Sequence, residues 1–427
     1  MDYKRDIIYY INRVYEKNLT TTSGGNLSEM DSNGNIFITP SGKDKGTLRE
    51  EDICMVRPDG TLVGEYKPSI ELPFHTLLYK LRPDVKAVLH VHSPMLVTYS
   101  LFNKAPITDI IPFCYEKCGA IGLSRYDIPG SIELGQQIAK IIEQGYDSIM
   151  MENHGVVIVA DTMRHAYDKL EALENAANIC LKATMIGGKM NRLSIDEMNR
   201  ATNRRADYKI VENEPLVSEE ERAIRESIVK FSKRCYIHDF FEVGYGSISV
   251  KIDDHSFLIT PEEFDRKELL ASQIIKVTDG VPENGRPDKD FMLHYNIYSK
   301  KPYAKSIMTA IPPNIMAYAV TGTEINSRTI PESYINMRDV VRLPYLTDVE
   351  NEDRLISSLS PASPIVLVEN SKLITTGETI VKAFDRLEVT EVTAKTLVLS
   401  HILGTPTNIS DEEIDKIDKT FNLPPLE

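Results

Sequence analysis

Asn35-Ile36-Phe37-Ile38-Thr39-Pro40 returns further along the chain as Ser256-Phe257-Leu258-Ile259-Thr260-Pro261. Each run is short, β-branched and aromatic, and each closes on a proline, which reads as a strand that ends where the backbone loses a donor. A single match of this kind is what any two strands produce. The agreement continues outward, however. Lys67, Pro68, His75, Tyr79 and Pro83 find Arg286, Pro287, His294, Tyr298 and Pro302 in the same order and with identical spacing. The helical block Ala166-Tyr167-Asp168-Lys169-Leu170-Glu171, with Glu174 and Ala177, matches Ala383-Phe384-Asp385-Arg386-Leu387-Glu388, with Glu391 and Ala394. Glu-Asn precedes each helix, at Glu152-Asn153 and Glu369-Asn370. Ser194 to Glu197 and Ser410 to Glu413 are both capping boxes that open a closing helix. Ordered blocks at a nearly constant offset indicate a tandem duplication.

The boundary falls in the polar stretch Arg204 to Leu216, after which Ser218 with Glu221 caps the first helix of the second unit. Two domains are therefore expected, residues 1–207 and 208–427. That division also suits the length, because 427 residues exceed what one hydrophobic core organises. Within each unit short strands alternate with helical stretches, the pattern of a layered α/β domain. Lys86 to His92 reads as a strand and Ala166 to Ile186 as a helix.

Apolar content of 42% with 26% charged residues is ordinary globular composition, and no apolar run has the length of a membrane span. The N-terminus carries Ile7, Ile8, Ile11 and Val14 at helical spacing among charges, an amphipathic first helix and not a signal sequence. A cytoplasmic location is expected. Cys54, Cys114, Cys118, Cys180 and Cys235 are scattered and form no CxxC pair, which suits a reducing compartment and assigns them no role. A net charge of −14 argues against nucleic acid and against anionic lipid as partners, while a small anion in a pocket of backbone amides stays compatible.

In Lys86-Ala87-Val88-Leu89-His90-Val91-His92 the strand period of two puts His90 and His92 on one face. His154, in Met150-Met151-Glu152-Asn153-His154-Gly155, sits where an apolar strand runs into a glycine turn that can present a side chain into a cleft. Three neutral imidazoles leave a fourth coordination position open, the arrangement of a catalytic metal site. Alone, H-x-H on a strand is more often packing than coordination. The duplication supplies the control, because Thr309-Ala310-Ile311 replaces His90-Val91-His92 and Ser371-Lys372 replaces His154-Gly155. Ligands of one ion lose their value as a set. His75, by contrast, keeps a partner in His294 and reads as a fold residue.

Thr22 to Ser28, Ile38 to Gly42, Pro68 to Glu71, His90 to Pro94 and Glu152 to Gly155 together resemble the successive motifs of the class II aldolase/adducin family. The resemblance covers the first half in order and the second half more faintly, as a degenerate copy without metal ligands. It implies a three-layer α/β/α sandwich around a mixed, mostly antiparallel sheet, present twice. It further implies zinc or another divalent cation on His90, His92 and His154, and an acid/base role for Glu71. Such a metal acts as a Lewis acid on a ketose carbonyl and stabilises the enediolate of carbon–carbon cleavage. Phosphate contacts are implied at Gly25, Asn26, Ser41, Gly42 and Ser69; Ile70 departs from the serine many relatives carry. The expected function is retro-aldol cleavage of a sugar phosphate or related hydroxyketone in a homo-oligomer. The alternatives are an epimerase, dehydratase or decarboxylase of the family, or a non-catalytic adducin-like binding protein.

Overall fold

A computed structural model of the chain describes residues 2–202, 208–213, 217–242 and 244–426. The expected boundary at Arg204 to Leu216 lies largely outside the described residues. The fold divides into two compact units, one of Met1–Thr108 with Phe113–Ala177, the other of Asp109–Pro112 with Asn178–Glu427.

The first unit is built on an eight-stranded sheet of β1 (Asn26–Met30), β2 (Ile36–Ile38), β3 (Cys54–Val56), β4 (Leu62–Val63), β5 (Ala87–Val91), β6 (Gly122–Ser124), β7 (Ser148–Met151) and β8 (Gly155–Ala160). Their order is β4-β3-β2-β1-β5-β8-β7-β6, antiparallel throughout except for β6 beside β7. Every residue of β5 and β8 is buried, as expected for central strands covered on both faces. Helices α1 (Tyr3–Glu16), α2 (Leu72–Leu81), α3 (Pro94–Ser100), α4 (Pro112–Cys118), α5 (Ile132–Ile142) and α6 (Met163–Met185) flank it. Asp2 caps α1 by accepting from the Arg5 amide, and the helix buries Ile7, Ile11 and Val14 as its spacing predicts. On one face, Phe74 and Leu78 of α2 and Leu134, Ile138 and Ile142 of α5 pack on Val88, Ile149, Met151, Val157 and Val159.

The second unit repeats this plan. Strands β9 (Ser247–Lys251), β10 (Ser256–Ile259), β11 (Ile275–Thr278), β12 (Val281–Glu283), β13 (Ser306–Ala310), β14 (Val340–Leu343), β15 (Ile365–Val368) and β16 (Lys372–Gly377) run in the order β12-β11-β10-β9-β13-β16-β15-β14. Again the terminal pair, β14 with β15, is the parallel one. Two mixed eight-stranded sheets with flanking helices therefore make a tandem α/β fold. Ser218 caps its first helix (Glu219–Ile237) and Ser410 its last (Asp411–Phe421), each through the amide three residues on.

The repeated histidine has the fold role expected of it. Ser28 Oγ lies 2.6 Å from His75 Nδ1 and 2.7 Å from Tyr79 Oη, all buried between β1 and α2. In the second unit Ser249, His294 and Tyr298 make the same brace at 2.7 and 2.6 Å. Loop geometry repeats too. An antiparallel bridge joins Pro40 to Pro68, and another joins Pro261 to Pro287. The amides of Ser41 and Glu262 bond back to Lys67 O and Arg286 O. Those of Ser69 and Asp288 bond back to Thr39 O and Thr260 O.

Candidate metal centre

β5 lies between β1 and β8, with His90 opposite Asn26 on one side and Val157 on the other. His92 stands one residue past the end of β5, and His154 closes the three-residue link from β7 to β8. One nitrogen from each ring lies within 4.8 Å of the others, and His90 Nε2 and His92 Nε2 are 2.9 Å apart. The link turns on Asn153, whose φ is +56°, so the left-handed residue is the asparagine and not the glycine. Gly155 serves proximity. A Cβ there would come 2.4 Å from Val91 O and 3.0 Å from His92 Cδ2.

The electrostatics suit coordination. His90 Nδ1 is 2.9 Å from Val156 O. A neutral ring donating there presents its Nε2 lone pair to His92 and Glu71. Burial holds His90, His92 and His154 down to about 4, and for the latter two the neighbouring His90 adds to the effect. All three rings are then neutral at pH 7, the state in which imidazole binds metal. Glu71 sits at the start of α2, 4% exposed, with Oε2 accepting from Asn26 Nδ2 at 2.6 Å. The same oxygen is 3.3 Å from His90 Nε2, and Oε1 is 3.7 Å from His154 Nε2. Oε1 is buried without a hydrogen-bond partner among the described residues. A carboxylate facing imidazole lone pairs is a cluster of acceptors that favours a cation. Tetrahedral bonds of 2.0–2.1 Å require nitrogens about 3.3 Å apart, within the spread observed here. The donor set fits a divalent ion.

The residues of the implied phosphate loops divide into two groups. Asn26 and Ser69 are buried beside Glu71; Ser69 Oγ accepts from the Glu71 amide at 3.3 Å. Gly25 adopts a φ of +66°, and a Cβ there would meet His90 O at 2.7 Å. Ser41 and Gly42 form an exposed turn tied to Ser69 through the Pro40–Pro68 bridge. Asn26 thus contacts the carboxylate directly, a duty that spacing alone did not reveal. Glu174, which the sequence marks only as a repeated position, has a task. Its Oε2 accepts from Ser93 Oγ at 2.5 Å, bracing the residue that caps α3 just after His92. Its counterpart Glu391 accepts from the amides of Asn314 and Ile315, both at 2.9 Å.

An L-fuculose phosphate aldolase of Methanococcus maripaludis is 34% identical over 177 residues, 41% of this chain and 95% of that protein. A 3-oxo-tetronate 4-phosphate decarboxylase of Pectobacterium atrosepticum is 31% identical over 169 residues, 39% of this chain and 77% of that protein. Among solved structures, an L-fuculose 1-phosphate aldolase is 28% identical with a TM-score of 0.43, covering 48% of this chain and 95% of its own. A sugar-phosphate aldolase of Thermotoga maritima is 25% identical with a TM-score of 0.38, covering 44% of this chain and 96% of its own. The family described as Class II Aldolase and Adducin N-terminal domain matches twice, over residues 5–181 and 226–398. With the family matched once in each half and most of the chain covered, the protein is a tandem member of the class II aldolase and adducin family.

Proposed function

We propose that residues 1–207 form a divalent-metal-dependent carbon–carbon lyase that performs retro-aldol cleavage of a small phosphorylated hydroxyketone. His90, His92 and His154 hold the metal and Glu71 is the acid/base. Residues 208–427 form a second domain without metal or turnover. The observation that carries the reading is the buried Glu71 carboxylate, 3.3 Å from His90 Nε2 and 3.7 Å from His154 Nε2. It supports acid/base work at the metal and not a solvated loop carboxylate.

A divalent ion on three imidazoles, with zinc the first choice, supplies Lewis-acid polarisation of a carbonyl oxygen. The chain supplies the rest. As the bond breaks, the hydroxyl of the departing carbon becomes the aldehyde carbonyl and gives its proton to the Glu71 carboxylate, which then delivers it to the carbon next to the ketone carbonyl, where the electron pair is left. Asn26 orients the carboxylate through Oε2 and leaves Oε1 to face the reacting group. The amides of Gly25 and Gly42 and the hydroxyls of Ser41 and Ser69 bind the phosphate that anchors the substrate. The second reading is decarboxylation, favoured by relatives named as 3-oxo-tetronate 4-phosphate decarboxylases at 30–31% identity. It uses the same carboxylate and ligands, with CO2 leaving in place of an aldehyde.

The test is a panel of ketose phosphates and phosphorylated 3-keto acids, assayed for aldehyde and for CO2. His92→Ala is expected to lose both metal and turnover. Glu71→Gln is expected to keep its metal and lose turnover by ~10²–10⁴-fold. Full turnover after chelator treatment, or an unchanged rate in Glu71→Gln, would rule the proposal out.

A further inference from the structure

The second unit carries at the matching sheet position an arrangement of charge that its strand registers allow to be compared residue by residue. Thr309 faces Ser247 across β13 and β9, as His90 faces Asn26 across β5 and β1. β16 opens on Lys372 as β8 opens on Gly155. Ile311 then stands at the position of His92, Asp290 at that of Glu71 and Asp288 at that of Ser69.

Lys372 is 6% exposed, and its Nζ lies 2.7 Å from Asp290 Oδ1 and 3.1 Å from Asp348 Oδ2. Thr309 Oγ1 donates to Asp290 Oδ2 at 3.2 Å and Ser371 Oγ to Asp348 Oδ2 at 3.3 Å. Asp290 and Asp348 are themselves 4% and 2% exposed. Beside them the buried Asp288 pairs with Arg266 Nη2 at 3.1 Å, and Arg266 also donates to Gly246 O and Pro261 O, both at 2.9 Å. Burial alone would neutralise Lys372, but Asp290 and Asp348 outweigh it and hold the ammonium charged.

The substitutions are correlated in space. In the first unit two glycines make room for His92: a Cβ at Gly24 would come 2.9 Å from its Nδ1, and one at Gly155 would come 3.0 Å from its Cδ2. In the second unit the imidazole is replaced by Ile311, and the two glycine positions carry Tyr245 and Lys372. One long cationic side chain has entered where ligands left.

We infer that the Lys372 ammonium, held by Asp290 and Asp348, is a tethered cation that stands in for a divalent ion in the second unit. The Asp288 carboxylate on Arg266 likewise occupies the Ser69 position, where the first unit offers a hydroxyl. The second unit therefore binds neither a metal nor a phosphorylated substrate there, because a cation and an anion of its own fill both places. Removing the ammonium exposes a hard oxygen site of two carboxylates and two hydroxyls, which suits Mn2+ or Mg2+. This inference stands whether or not the first unit catalyses anything.

The experiment compares the chelator-treated full chain with its Lys372→Ala variant, by thermal unfolding with and without Mn2+ and by equilibrium dialysis. Without Mn2+ the variant is expected to unfold roughly 6 °C or more below the parent, since its buried carboxylates lack a counter-charge. With Mn2+ it is expected to bind one ion more per chain than the parent and to regain most of that loss. An unchanged midpoint, or a recovery no larger than the parent's, would overturn the inference. If the variant is insoluble, expression decides: solubility only in Mn2+-supplemented medium supports it, and insolubility in both media overturns it.

Discussion

Glu29 lies on β1 next to the Ser28 brace, 3% exposed, with Oε2 lacking a hydrogen-bond partner among the described residues. Burial first, and Asp6 second, push its carboxyl up to about 8 from an ordinary 4.5. The folded chain therefore keeps a proton that the unfolded chain releases near pH 4.5. Stability at this site is fully present below that pH and falls as pH rises toward 8. Glu29→Gln removes the titration and keeps the shape. Its unfolding midpoint is expected to exceed the parent's at pH 8 and to match it at pH 4; equal midpoints at both would contradict this. Neither the burial nor the raised affinity for protons was legible beforehand, because a glutamate within a strand reads as solvent-facing until the covering helix is known. The histidines were legible for a different reason. Their second copies showed which one the sheet requires and which three go together. The spacing could not show that Asn26 would bond to Glu71, since the two are far apart in sequence and meet only through strand register.

At the scale of elements, periodicity predicts β5 over Lys86 to His92 and the strand forms as Ala87–Val91, and it predicts the long helix over Ala166 to Ile186, which forms as Met163–Met185. Both follow from periodicity, which places the interior of an element better than its ends. The sequence places the turn on Gly155. The structure gives the turn to Asn153, and the same holds at Asn370, whose φ is +53°. Asparagine tolerates that conformation because its short amide bonds locally. Gly155 is required by two neighbours, the Val91 carbonyl and the His92 ring. Gly155→Ala must then push β8 from β5 or turn the imidazole. A drop in metal affinity of ~10–100-fold is expected, the range seen when a ligand loses its orientation. Titration with a competing chelator checks it, and parental affinity would show that the ring has room to spare.

For the molecule as a whole, the duplication was the most legible feature, since matched blocks in matched order cannot arise from local propensity. The strand orders of the two sheets agree position for position. The histidine cluster did not follow topology. Among the described residues one group of histidine, cysteine, aspartate and glutamate side chains is arranged to hold an ion, at His90, His92 and His154. No helix among the described residues is long and apolar enough to cross a membrane. The purified chain is expected to contain one equivalent of divalent metal by elemental analysis; two equivalents would mean that the second unit retains a site.

The proline bridges and the serine–histidine–tyrosine braces persist in both units while the three clustered histidines persist in one. Such a chain carries its own reference state. A substitution in the frame can be measured twice, once under the three histidines and once under Lys372 with its two aspartates, in a single polypeptide and a single buffer. The difference between the two readings is what the histidine cluster costs this fold, separated from the energetics of assembling the sheet.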